Sequence, residues 1–514
     1  MVRLRLLAAS FAAALATTMM GGFGGPDLVI CRVGGTGTTN GFMNLGASGG
    51  IRAYSADSIT CNIGDLLCTW DAGLPEPDNN HPIISQTMFR LSGGRLTQIG
   101  QSWIKHAGNS TNQPECGLTC VPPNPANNAI LVPGCCDAYN ALTNGTQFAG
   151  PKSEVNPATG VFPYPFCSPP DGGMTCPSAA ATIGRRLQVK ESDIIAGAQY
   201  FFQIHLITPD EINLASPRTD MNNASYRPLA YSGFNILSWT GPTVSNMPAI
   251  KAWKLNGLGP GISDPNVIEA QIDVPGDGRF YLAAKASNIG GGLWQYDYAV
   301  QNYNSHRAAQ SFTVPLPTNH GVSAMGFTDV DYHSGEPQSG TDWMQTLTSS
   351  GMTWSTDAFT ANPNANAMRW DTMYTFRFQS TKPPATRTVQ IGMFRTAAVG
   401  SPDMFVSATL PVPDADCNGN GIADSIDIAN ATSADANGDG VPDECPQPCY
   451  ADINLDATVD VNDLLSVITA WGPCMFPFNC PADVAPTLSG DGQVDVNDLL
   501  SIITSWGPCL GGGP

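Results

Sequence analysis

Residues 452–463 read DINLDATVDVND, and Asp452, Asn454, Asp456, Asp460 and Asp463 fall at positions 1, 3, 5, 9 and 12 of a twelve-residue loop, with the Thr458 carbonyl at position 7. A hard cation such as Ca2+ takes about six to eight oxygens at short range, and acidic or amide side chains two residues apart in a tight turn supply them. Asp stands at position 12 where Glu is usual, and Ala457 stands at position 6 where the sharp turn favours Gly. The same pattern returns in DVAPTLSGDGQVDVND, residues 483–498. There Asp491, Asp495 and Asp498 take positions 5, 9 and 12, Ser489 position 3 and the Gln493 carbonyl position 7. Position 1 falls on Thr487, a poor ligand; Asp483 takes its place if the loop carries a four-residue insertion. Two further loops lie in 414–445: Asp416, Asn418, Asn420, the Ile422 carbonyl, Asp424 and Asp427 form one, and Asp435, Asn437, Asp439, the Val441 carbonyl and Asp443 the other, with Pro446 at its position 12. Ca2+ is therefore the expected cofactor.

Each tail loop must be held by the segment on its C-terminal side. Residues 459–474 read VDVNDLLSVITAWGPC and 494–509 read VDVNDLLSIITSWGPC, differing only at Val467/Ile502 and Ala470/Ser505. Leu464, Val467, Ile468 and Trp471 recur at helical spacing, and Gly472-Pro473 ends the run. One loop-helix unit exposes its apolar stripe, and a second copy is expected to cover it. Cys449 and Cys474 bracket the first unit and Cys480 and Cys509 the second; pairing within each unit is the simplest of several possibilities. Cys417 and Cys445 close the 414–445 segment, a spacer expected to stiffen when carboxylates gather around metal.

On residues 452–471 and 487–506 the tail resembles a type I dockerin of the variant whose units end in Gly-Pro-Cys. The resemblance implies two loop-helix units packed antiparallel around calcium with pseudo-twofold symmetry, and a partner: a cohesin-like module or another surface docking module. It places partner contacts at loop positions 10 and 11, here Val461 and Asn462 and, in the copy, Val496 and Asn497. The family's frequent Ser/Thr pair is absent from those positions. The 414–445 segment resembles thrombospondin type 3 calcium repeats. Residues 79–108, 183–189, 222–228 and 293–315 are similar to segments of secreted bacterial proteins that carry this tail and have no assigned activity.

The whole composition fits this reading. The chain has 514 residues, 54 Gly, 42 Pro and only 13% charged residues, which favours loop-rich β structure. Of the net charge of −20, residues 411–514 carry −16, with 16 Asp/Glu and no Lys or Arg. That charge disfavours nucleic acid and acidic lipid. Residues 1–23 read as a signal peptide, Arg3 and Arg5 preceding an apolar run. No later stretch is apolar enough for a membrane span. A secreted, extracellular or cell-surface location is expected, where the 15 cysteines form disulfides. Nine lie between Cys31 and Cys176; the odd one out is expected to be Cys31.

The fold class expected is a mostly β body with a small α-helical calcium-binding domain at the C-terminal end. Residues 24–194 are read as an irregular disulfide-stapled β region, 195–410 as β-sandwich-like, 411–447 as a calcium-binding stalk and 448–510 as the tandem loop-helix domain. Trp294, Tyr296, Tyr298 and Val300 alternate, and 278–286, 372–380 and 388–396 look alike. No nucleophile elbow, zinc-protease helix or phosphate loop occurs. CGLTC at 116–120 reads as a disulfide loop rather than zinc. Trp103, Lys105 and His106, preceded by Arg90, offer a sugar-stacking cluster or an ordinary strand. Asp329, Asp331, His333 and Glu336 offer an acid–base pair for a glycoside or a loop of solvated charges. The body is expected to bind or degrade polysaccharide, or else to be a non-catalytic surface-layer or adhesion module.

Overall fold

The alternation in 293–302 becomes a strand, Leu293–Asn302, with Tyr296, Tyr298 and Val300 buried and Gln295 and Asp297 on the other face. The computed structural model describes residues 24–35, 41–71, 80–145, 149–163, 182–215, 217–233, 236–333, 335–397, 404–436, 438, 440–445, 450–454, 456, 458–474, 480–485 and 491–509. They fall into two compact units. The first comprises Met1–Arg90, Ile99–Ala249 and Asp331–Pro337; the second comprises Leu91–Gln98, Ile250–Val330 and Gln338–Pro514.

In the second unit, two five-stranded sheets form a sandwich. One runs Val267–Asp273, Arg279–Gly290, Leu293–Asn302, Thr372–Ser380, Ser323–Thr328; the other runs Met344–Leu347, Gly351–Ser355, Ala309–Pro315, Pro384–Met393, Phe405–Pro413. Phe280, Tyr298, Phe376 and Phe378 of the first meet Phe312, Trp354, Ile391 and Leu410 of the second in one core. The core tyrosines keep their hydroxyls satisfied: Tyr296 donates to the Lys382 carbonyl and Tyr298 to the Pro411 carbonyl, both at 2.8 Å. The sandwich is as the alternation implied.

The first unit joins a three-stranded sheet, Leu28–Val33, Ser58–Asn62 and Cys136–Tyr139, to a larger one. In the larger sheet, Gln199–Ile207 lies between Ala224–Gly233 and Ile83–Ser92. That placement moves the boundary: the strands after 195 complete the N-terminal sheet, and the division falls at Ala249/Ile250 rather than 194/195. Three disulfides staple the smaller sheet: Cys31–Cys116, Cys61–Cys136 and Cys120–Cys135. Cys31 is therefore bonded, and the free thiol among the described residues is the buried Cys68. The two cysteines of CGLTC bond outward, to Cys31 and Cys135, not to each other.

Glu211 is fully buried here, accepting from the Leu28 backbone N–H and from Asn223 Nδ2, both at 2.6 Å. Burial pushes its carboxyl well above the usual range; those two hydrogen bonds pull it down, and Asp220 and Asp27 push it up again. The folded state thus prefers the neutral acid. That stability is fully present below the ordinary carboxylate range and is lost as pH rises through the raised value. As pH rises above the ordinary carboxylate range, the melting temperature of the native chain should fall more than that of Glu211→Gln. Equal slopes in the two melting series would exclude Glu211 as the cause.

Candidate metal centres

The helices Val461–Thr469 and Val496–Thr504 form where the repeat predicts them. Each starts at a reciprocal cap. Asp460 accepts from the Asn462 N–H at 2.7 Å, and Asp463 accepts from the Asp460 N–H at 2.8 Å. Asp495 and Asp498 repeat this on Asn497 and Asp495 at 2.7 Å each. Such caps contribute roughly 1 kcal/mol each. The residues read as positions 9 and 12 are therefore also the start signal of the helix.

The loops wrap back onto those caps. Asp463 also accepts from the Ile453 and Asn454 N–H groups at 2.7 and 3.2 Å. Asp452 and Asn454 both accept from the Asp456 N–H, at 3.1 and 2.9 Å, and Asp456 accepts from the Thr458 N–H at 3.0 Å. The structure thus brings Asp452, Asn454, Asp456 and Asp463 together around one turn, with Thr458 closing it.

The second loop copies this with one substitution of register. Asp498 accepts from the Val484 and Ala485 N–H groups at 2.6 and 2.8 Å, as Asp463 does from Ile453 and Asn454. Asp483 accepts from the Asp491 N–H at 3.1 Å and the Gly492 N–H at 2.8 Å, and Asp491 accepts from the Gln493 N–H at 2.9 Å. Asp483 is therefore the counterpart of Asp452, and the four extra residues lie between it and Asp491. Thr487 and Ser489 lie outside the described residues. If this loop holds a cation, Asp483→Ala should lower the calcium stoichiometry of the full chain by one in isothermal titration, while Ser489→Ala should leave the count intact; the reverse ranking would reject the assignment of Asp483 to position 1.

The two units close each other crosswise. Thr458–Val459 pairs with Gly507–Pro508 of the second copy, and Gly472–Pro473 of the first pairs with Gln493–Val494. Cys509 Sγ lies 3.6 Å from Asp452, and Cys474 Sγ lies 3.6 Å from Asp483. Pairing of cysteines within each unit is overturned, because Cys474 is bonded to Cys480. Cys509 is also disulfide-bonded, and Cys449 lies outside the described residues. The crossing explains the bond: each Gly-Pro-Cys end is carried over to the other unit's loop.

Between the units lies a small core of Val459, Val467, Val494 and Ile502, with Leu464 and Leu499 half-buried beside it. The expected cover for the helical stripe is only partial. Ile468 and Trp471 stay 51% and 53% exposed, and with Val461 and Leu465, at 53% and 50%, they form a second apolar face. Val496, Leu500, Ile503 and Trp506 repeat that face at 51–54% exposure. A helix has room for two apolar stripes; periodicity identified one and could not say which side the partner unit takes.

Upstream, Asn420 donates its N–H to Asp416 at 3.1 Å and to Asn418 at 3.0 Å, the same scheme as Asp456 on Asp452 and Asn454. Gly421 adds a bond to Asp416 at 3.1 Å, and Ile422 donates to Asn420 at 2.7 Å. Asp424 begins the helix Asp424–Ala429 and accepts from the Cys417 N–H at 2.9 Å, while Asp427 accepts from Asn420 Nδ2 at 2.9 Å. In the next loop, Asp435 accepts from the Gly438 and Gly440 N–H groups at 2.8 and 3.0 Å, and Asp443 accepts from Ala436 at 3.0 Å. Val441 comes after Gly440 there, and Asn437, Asp439 and Pro446 lie outside the described residues. Cys417 is bonded to Cys445. Two residues outside the spacing pattern complete the segment: Glu444 accepts from Asn418 Nδ2 at 3.2 Å, linking the loops, and Asp414 pairs with Arg387 at 2.7 Å, tying the segment to the Pro384–Met393 strand.

Do these donors suit calcium? Asp463 and Asp498 are fully buried in a segment with no Lys or Arg, so no side-chain cation from that segment balances them. A buried carboxylate needs pairing or a metal. The side chains gathered in each loop are carboxylates and amides, oxygen donors that suit a hard divalent cation. The fit is chemical and is repeated in the two tail loops.

The other sequence candidates resolve into structural roles. Trp103 is buried, which removes the sugar-stacking reading; buried Lys105 sits 3.0 Å from the Tyr139 ring centroid, its ammonium pushed down to about 7 chiefly by burial. His106 Nδ1 lies 2.9 Å from His81 Nε2, and Arg90 pairs with Asp193 at 2.8 Å. Asp329 accepts from Asn366, Asp331 pairs with Lys190, His333 meets the Arg186 carbonyl and Glu336 accepts from the Lys152 N–H. His333 is buried while the Asp331 side chain stays 64% exposed, so the stretch is a loop whose charges are only partly solvated.

No protein-family model matches the chain, and no curated protein does. Among solved structures, an exo-β-D-glucosaminidase matches at 10% identity over 70% of this chain and 25% of its own, with a TM-score of 0.15. The full-length major pilin RrgB of Streptococcus pneumoniae matches at 10% identity over 60% of this chain and 42% of its own, also at 0.15. This chain thus spans under half of either structure, and likeness at that score carries no argument. No helix among the described residues is long and apolar enough to cross a membrane.

Proposed function

We propose that this is a secreted protein whose calcium-organised, dockerin-like tail fastens a β-rich body to an extracellular or cell-surface scaffold. The observation that carries this is the duplicated apolar face, three half-exposed side chains on each helix and the tryptophan just beyond it, at matching exposure. An interface core wants such a cluster of aliphatic and aromatic anchors. The partner it suits is a rigid module with a flat apolar patch, of the cohesin kind. The acidic loops beside it favour a partner free of anionic charge. The disulfides fit an oxidising compartment. The test is direct binding of the full chain to immobilised cohesin-type modules, with calcium and with EDTA. Calcium-dependent binding supports the proposal; failure across a broad set of such modules, with the tail folded, argues against it.

For the body, a glycan-binding role is the reading adopted, and the non-catalytic alternative is the stronger form of it. Trp103, Trp343 and Trp354 are buried rather than lining a groove, and the Asp329–Glu336 stretch is spent on internal bonds. A glycosidase would need two carboxylates facing a substrate.

A further inference from the structure

The outer face of the first sandwich sheet carries a cavity of about 400 Å³ lined by Arg95, Gln295, Asp297, Ala324, Arg377 and Gln379. Strand pairing builds it. Gln295 stands opposite Gln379, and Asp297 opposite Arg377, on adjacent strands. Gln379 Nε2 donates to Gln295 Oε1 at 3.3 Å, and Arg95 approaches Asp297 at 3.8 Å. The floor is therefore an amide pair beside one carboxylate and two guanidinium groups.

Two backbone features keep the cavity open. The edge strand Ser323–Thr328 bulges between Ser323 and Gly326, and Ala324 within the bulge has φ of 48°. A non-glycine residue there costs on the order of 1–3 kcal/mol, and such strain gathers where a site needs shape. Gly326 clears the path of Arg377: a Cβ at that position would lie 2.4 Å from Arg377 Nε. The Arg377 side chain crosses this glycine and is exposed at the cavity.

We infer that this cavity binds an acidic saccharide unit, its carboxylate on Arg377 and Arg95 and its hydroxyls on Asp297 and the glutamine pair. Planar guanidinium matches a carboxylate bidentately. A bare inorganic anion would meet Asp297 as a repulsive neighbour. A ligand carrying both an oxyanion and hydroxyl donors satisfies both kinds of group. The lining has no aromatic ring, so affinity comes from polar contacts, and a dissociation constant on the order of 1 mM is expected. This deepens the glycan reading of the body and is independent of the tail.

The site also carries a pH signature. Asp297 faces Arg95, Arg377 and, across the other strand pair, Lys285, which is itself held by Asp264 at 2.7 Å. Burial nevertheless raises its carboxyl to about 6, against the pull of Arg95 and Lys285. Protonation below that value removes the one anionic group, so an acidic sugar should bind more tightly at pH 5 than at pH 8.

The experiment is calorimetric titration of the full chain with a galacturonic acid trimer, a neutral galactose trimer and sulfate, at pH 5 and pH 8. Expected at pH 8 is binding of the acidic trimer but not of sulfate or the neutral trimer, weakened at least tenfold in Arg377→Gln; the tightening at pH 5 should vanish in Asp297→Asn, with melting temperatures unchanged. No heat with the acidic trimer, equal binding by Arg377→Gln, or equal binding of sulfate at pH 8 would overturn the inference. Binding of a neutral glycan that ignores Arg377→Gln would leave the glycan reading standing while removing this site.

Discussion

Stripping calcium from the full chain should unfold its last hundred residues while leaving the sandwich intact. The expected record is a calorimetric scan with two transitions in calcium; the lower one disappears in EDTA, with the helical signal of Val461–Thr469 and Val496–Thr504. The reason is the charge balance. Residues 411–514 hold 16 Asp/Glu without one Lys or Arg, and two of those carboxylates are fully buried. The apolar core between the units is small, so a cation held by the loops would contribute much of the fold's stability. At free calcium a thousandfold above the dissociation constant, binding contributes about 4 kcal/mol per site. Linkage fixes the sign: a cation that binds only the folded loops raises their melting temperature with its concentration. A lower transition that ignores EDTA would end the calcium reading of the tail.

The second large effect concerns the paired faces. Leu465→Asp combined with Leu500→Asp should abolish docking, at least a hundredfold in affinity, with the tail still folded. Both leucines are about half exposed, so charge there costs little in the free protein. On docking, each would bury an unpaired carboxylate against an apolar surface, a penalty of several kcal/mol. Either substitution alone should change affinity only about twofold, because the untouched copy still offers an equivalent face. Surface plasmon resonance on the native chain and the three variants separates the cases. A hundredfold loss from one single variant would mean that the two faces are not interchangeable.

What was legible in the sequence was local. The Asp/Asn spacing of a turn, helix caps and strand alternation are set within about a dozen residues, so the turn of Asp452–Asp463, both tail helices and the 293–302 strand were readable. Asp483 was readable only as an option, because a four-residue insertion breaks the spacing that identifies a loop. The pairing of Cys474 with Cys480 was not readable: the nearest bracketing looks simplest until the units are seen to exchange ends. Nor was the exposure of Ile468 and Trp471, since helical period gives a stripe without naming its neighbour. The 194/195 boundary failed because sheet partners were chosen across more than a hundred residues, Gln199–Ile207 beside Ile83–Ser92. The cavity over Asp297 needed three strands in register together with Arg95 from far along the chain, which no linear pattern announces.

The exchange of Gly-Pro ends has a consequence for how the protein is made. The first loop is the earlier to emerge in synthesis, yet the strand that seals it, Gly507–Pro508, is translated some fifty residues afterwards. A chain whose synthesis stops before Trp506 therefore lacks the strand that closes the first loop. If the tail is what fastens the body, attachment would then admit finished molecules and leave truncated ones adrift.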